Sequence, residues 1–130
     1  MGGIKDNKIV YGTKKVLFPN LGLADAYRAV FYSPRSPAAH NTLGTVLQAL
    51  GLRDAARVEY ERTLALDPGA AYAMNNICSL DLLEERPASA AAACRRALDI
   101  QPALVVALHN LEKANAMLRA APGGDPDGRQ

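Results

Sequence analysis

Four asparagines fall into two pairs at one interval: Asn41 and Asn75 are separated by the same stretch of chain as Asn76 and Asn110. A carboxamide carries a donor and an acceptor together, so a row of them can pair with the N–H and C=O groups of an extended peptide whatever its side chains are. Cys78 and Cys94 supply the other distinctive chemistry. Their spacing fits no redox or metal motif, which leaves a disulfide or two buried thiols acting as small hydrophobes. Support for catalysis is thin. His40 and His109 fall on separate segments, and no carboxylate pair, phosphate-cradling glycine loop or zinc-type Cys/His cluster is legible. The residues therefore predict no cofactor, no metal, and a binding module rather than an enzyme.

The same interval specifies the elements that must position these groups. Pro34, Pro68 and Pro102 also recur at it. A period of about 34 residues reads as stacked helix pairs. Such arrays bury their core between neighbours and leave one long surface for a partner. His40, Leu43, Gly44 and Leu47 fall at i, i+3, i+4 and i+7, one face of a helix, and Ala56, Tyr60, Thr63 and Leu64 form a second stripe. Between them Gly51 is a helix stop and Asp54 an acceptor suited to the next helix's first amides. In the next unit Glu84, Glu85 and Arg86 lead to Pro87, which suits a first helical position because its missing N–H would have no partner there. Helices are expected near Pro37–Leu50, Asp54–Leu66, Ala71–Glu84, Pro87–Ile100 and Ala103–Arg119, with a further one over Leu21–Ser33. The predicted fold is all-α: a short right-handed solenoid of antiparallel helix pairs.

In that register His40, Leu43, Gly44, Leu47, Ala56, Tyr60 and Pro68 lie over Met74, Ile77, Cys78, Asp81, Ala90, Cys94 and Pro102. The chain here resembles the tetratricopeptide repeat family over roughly residues 21 to 118. That family's unit carries a large residue, then Leu, a small residue and an aromatic on its first helix, and Ala, an aromatic, Ala and Pro on and after its second. Residues 37–70 match at Leu43, Gly44, Ala56, Tyr60 and Pro68 and depart at Thr63. Residues 71–104 match at Ile77, Ala90, Ala97 and Pro102, with Cys78 and Cys94 in the small and aromatic slots. Asp81 departs most, an acid in a slot that is normally apolar, able to accept hydrogen bonds from a neighbouring helix or to tilt into solvent. The last helix, over 105–119, offers Leu108 and Leu111 to the core, while Glu112 and Asn115 take the slots that would face a following helix. That is the wettable outer side of a cap. Residues 21–36 read as a degenerate half-repeat, 1–20 as an irregular arm made basic by Lys5, Lys8, Lys14 and Lys15, and 120–130 as a disordered tail.

The resemblance also implies where a ligand lies, because first helices of successive repeats line a concave groove in this family. Carried over residue by residue, the groove takes Asn41, Thr45 and Gln48 from the first repeat and Tyr72, Asn75, Asn76 and Ser79 from the second. The last helix adds His109, Asn110 and Lys113. Leu82, Leu83 and Met117 offer apolar pockets, although both leucines suit the core equally. The row of asparagines resembles the ladder in the repeat array of protein O-linked acetylglucosamine transferases. The basic clamp of chaperone-binding members is absent, its slots holding Ala38, Asn41, Tyr72, Val106 and Asn110. The plainer alternative is that the asparagines only solubilise an exposed face. In the same register Cys78 and Cys94 face each other across one helix pair, where a bridge closing so short a loop would contribute about 3 kcal/mol.

Taken together these readings predict a protein or peptide partner held in the groove, with the chain serving as adaptor or assembly factor. One alternative makes it an appendage or fragment of a larger enzyme, such as a glycosyltransferase, or of a membrane-associated assembly protein. Another is weak self-association. A balance of 15 Lys and Arg against 13 Asp and Glu, net +2, is too even to argue for nucleic acid. No apolar run approaches the roughly 20 residues of a membrane span, and no signal peptide is legible. The default location is cytoplasmic, becoming extracytoplasmic if the two cysteines are bridged.

Overall fold

Ser36 starts the first well-defined hairpin: its Oγ accepts the Ala39 N–H at 3.1 Å, and Pro37 follows at the first helical position. The computed structural model describes residues 18–121, and these form six α-helices with no strand among them. They are α1 (Phe18–Tyr32), α2 (Pro37–Ala49), α3 (Arg53–Leu66), α4 (Ala71–Leu83), α5 (Pro87–Ile100) and α6 (Val105–Ala120). The arm expected over residues 1–20 lies outside the described residues except for its last three, which open α1 instead. Of the expected tail, Ala120 closes α6, Ala121 follows it, and the rest lies outside. Two units can be distinguished, one ending at Arg62 and the other starting at Thr63, within α3.

In the first unit, α2 stops at Gly51, whose φ of +82° puts it in the left-handed region. Gly51 N–H donates to the Gln48 carbonyl and Leu52 N–H to the Leu47 carbonyl, both at 2.9 Å, so the last carbonyls of the helix are satisfied. Asp54 does not cap α3 as expected. The Leu52 carbonyl accepts the first bond, from Ala56 N–H at 3.0 Å, which draws Asp54 into the first turn, where its charge favours the positive helix end. Helix α3 runs antiparallel to α2, with Tyr60 directly over Gly44. A Cβ on Gly44 would lie 2.5 Å from Tyr60 Cε1, so only glycine admits the ring. The ring is wholly buried, and its hydroxyl donates to Gln48 Oε1 at 2.7 Å. Burial pushes the phenol pKa up to about 12.

His40 fills its core slot by polar contacts as well as packing. Its Nε2 donates to the Pro34 carbonyl at 2.7 Å, while Nδ1 lies 2.7 Å from Glu59 Oε1. Arg62 donates to the other oxygen of that buried carboxylate, also at 2.7 Å. The imidazole thus ties the connection after α1 to both α2 and α3.

The second unit has a core built largely of alanine. Ala71, Met74, Cys78, Ala90, Ala91, Ala93, Cys94, Ala97, Ala107 and Ala114 form one buried cluster, with Ile77, Leu98, Leu104 and Leu111 among its partly buried rim. Small side chains let helix axes approach closely but bury little apolar area each. Helices α4 and α5 are joined by a disulfide between Cys78 and Cys94, whose Cα atoms are 5.5 Å apart. Asp81 does not tilt into solvent. It is 1% exposed, accepts the Ser89 hydroxyl at 2.7 Å, and faces the Arg86 guanidinium at 3.6 Å, so the acid pins both sides of the turn. The last helix corrects one expectation: Leu108 points outward, 46% exposed, and Ala107 and Ala114 are the buried pair. Close approach of α6 favours the face with the smallest residues, and that face lies one position before Leu108.

Candidate functional site

Within the second unit α4 and α6 run side by side in the same direction, because α5 reverses the chain between them. Their seam is stitched by carboxamides. Asn110 Nδ2 on α6 donates to Asn75 Oδ1 on α4 at 3.0 Å, and Asn75 is only 8% exposed. Cys94 Sγ approaches the same oxygen at 3.9 Å. A bridged sulfur has no hydrogen to give, so that approach is a van der Waals contact and the oxygen's bond is to Asn110. One donor of Asn110 and one lone pair of Asn75 are used in this bond, and each group keeps its other end.

Two adjoining concavities open along the seam. The first, about 470 Å³, is walled by Asn75, Asn76 and Ser79 from α4 and by Val105, Val106, His109 and Asn110 from α6. The second, about 430 Å³, is walled by Ser79, Leu82 and Leu83 from α4 and by Asn110, Lys113, Ala116 and Met117 from α6. Ser79 and Asn110 belong to both. Six of the seven groove residues expected on these two helices therefore line one seam. Tyr72, the seventh, is exposed on the first turn of α4 and walls neither concavity. The sequence reading did not name Val105, which opens α6 and walls the first concavity.

The ladder differs in one respect from independent carboxamides. Asn75 is buried and spends its oxygen on a helix-to-helix bond, whereas Asn41, Asn76 and Asn110 are half-buried. In the first unit Asn41, Thr45 and Gln48 share one face of α2 by their i, i+4 and i+7 spacing. Thr45 is exposed and donates to the Thr42 carbonyl at 2.7 Å. Gln48 is half-buried, with its oxygen already held by Tyr60. Among the described residues no three His, Cys, Asp or Glu side chains are grouped to hold a metal, and no helix is long and apolar enough to cross a membrane.

No protein-family model matches the chain, and no curated protein sequence does. Solved structures do. YrrB, a tetratricopeptide protein described as having an unusual peptide-binding site, superposes with a TM-score of 0.70 at 29% identity, covering 75% of this chain. The chain spans 50% of that structure's length. The first tetratricopeptide domain of Spaghetti (RPAP3), solved with the HSP90 peptide SRMEEVD, superposes with a TM-score of 0.74 over 79% of this chain and 82% of its own. At 14% identity this second likeness speaks to fold alone. With antiparallel hairpins that recur at the interval of the three prolines, the chain has the helical-repeat fold of these tetratricopeptide structures.

Proposed function

We propose that the protein is a non-enzymatic interaction module that holds an extended segment of another protein against its asparagine-lined helix faces, acting as an adaptor or assembly factor. The observation that carries this reading is the seam itself: carboxamides of Asn76 and Asn110 wall concavities in which polar groups alternate with the apolar Val105, Val106, Leu82, Leu83 and Met117. A carboxamide satisfies a ligand's N–H and C=O together, which favours backbone recognition in a site with few charges. The likeness to YrrB, described as having an unusual peptide-binding site, supports the same class of ligand.

The test is affinity capture followed by mass spectrometry to identify the partner, then titration of the partner's minimal segment against the protein and its Asn76→Ala, Asn110→Ala double variant. We expect about a tenfold or greater loss of affinity with unchanged helical circular dichroism, two peptide hydrogen bonds being removed at about 0.5–1.5 kcal/mol each. Equal affinity in the intact variant would remove the asparagines from recognition.

A further inference from the structure

The two concavities along the α4–α6 seam are equivalent points on a ruler. Asn76 and Leu83 on α4 are two helical turns apart, as are Val106 and Lys113 on α6. At a rise of 1.5 Å per residue that separation is about 10.5 Å. An extended chain advances about 3.3 Å per residue, so the same distance is about three residues of ligand. Asn110 lies between, walling both.

Charge distinguishes the second concavity from the first. Among the described residues Lys113 is the only Lys, Arg, Asp or Glu in either wall, with Leu82, Leu83 and Met117 around it. Among the described residues no carboxylate pairs with its ammonium, and no Asp or Glu lines the seam. An acid brought there meets an unopposed cation beside apolar carbon, where the local dielectric is lower than in water. The slots of the family's basic clamp hold Val106 and Asn110 on this helix, so Lys113 is a separate cation, one turn further along. It stands level with the middle of its concavity, and a chain ending there would leave Ala116 and Met117 uncovered. The geometry thus suits an internal acidic side chain better than a terminal carboxylate.

Resting on the peptide-binding reading above, we infer that the seam selects an internal extended segment with two apolar side chains about three residues apart and an Asp or Glu flanking the one seated on Leu82, Leu83 and Met117. Val105 and Val106 receive the other apolar side chain, and Asn110 takes the backbone between them.

The probe is a display library of random nine-residue segments, fused at both ends, panned against the full chain and against Lys113→Glu. Enriched segments should carry the apolar spacing with a neighbouring acid. On Lys113→Glu that acid should give way to Lys or Arg, a change of preference that a merely structural role would not produce. End-blocked synthetic peptides should then lose about threefold to fivefold in affinity on Glu→Gln exchange, the scale of a partly exposed ion pair, and should lose nothing on the Lys113→Glu protein. Enrichment without the acid, or the same acid on both proteins, overturns this inference while leaving backbone recognition standing. Failure of any segment to enrich above an unrelated helical protein overturns both.

Discussion

Replacing Glu85 by glycine should stabilise the protein. Residue 85 lies one repeat after Gly51, and the two turns are built alike. Glu85 N–H donates to the Leu82 carbonyl at 3.1 Å and Arg86 N–H to the Asp81 carbonyl at 2.8 Å, reproducing the pair of bonds that closes α2. The turn demands a left-handed residue, and Glu85 has φ +57°. For an L-residue this conformation costs about 1–2 kcal/mol, because Cβ crowds the following carbonyl. Glycine removes that strain but brings more freedom to the unfolded chain, a loss of about 0.4–1 kcal/mol. The carboxylate is exposed and joins no ion pair among the described residues, so little else changes. The balance favours Glu85→Gly by about 0.5–1 kcal/mol, or a rise in Tm of about 2–5 °C for a chain of this size. Urea unfolding followed by circular dichroism gives the midpoint. Glu85→Ala serves as the control, since alanine keeps the Cβ and should gain almost nothing. If glycine gives no gain, or alanine gives the same gain, backbone relief is not the cause.

The remaining expectations concern both hairpins. Gly44→Ala should cost about 1–3 kcal/mol by forcing Tyr60 off a site it cannot leave, measured as a lower urea midpoint. Tyr60 has its pKa at about 12 when folded and about 10 when unfolded. Below pH 10 both states keep the proton; from pH 10 to 12 the unfolded state loses it first, so stability should fall by about 2–3 kcal/mol over that range. In Tyr60→Phe this component of the alkaline slope should vanish. Reducing the Cys78–Cys94 bridge, which spans 16 residues, should lower stability by about 3 kcal/mol, and Cys78→Ser, Cys94→Ser should be indifferent to reductant.

Much of the architecture was legible because a repeat states each feature more than once. Helices α2 to α6 begin and end within two residues of the positions that the prolines, glycine and apolar stripes indicate. The opposition of Gly44 and Tyr60 was readable too, since a small residue and a ring occupy facing slots. Alanine was harder, because in an alanine-rich helix its burial leaves no contrast. Leu108 drew attention to the wrong face of α6. The period held the missing signal: Ala39, Ala73 and Ala107 stand one repeat apart in succession, and all three are buried. Polar bridges were illegible for a different reason. A sequence shows that Asn75, Asp81 and Glu59 can form hydrogen bonds, but their partners Asn110, Ser89 and His40 are fixed by helix rotation, which composition does not encode.

The two hairpins solve one packing problem in different ways, and the difference bears on binding. In the first, a ring lies on a glycine and fills the space between α2 and α3 with volume. In the second, cysteines stand in both slots and a covalent bond replaces the missing bulk, in a core where Met74 is the largest member. The bond holds α4 to α5, and α6 packs on that pair through Ala107 and Ala114. Alanine has no rotamers to redistribute, so the spacing of α4 and α6 is set by close helix contact together with the Asn110–Asn75 bond. Asn75 is fixed between this staple and Asn110, and its carboxamide sets the width of the seam at the point where both concavities meet. A ligand that uses Asn110 therefore meets a donor already held in place, and less of its binding energy goes into ordering the site.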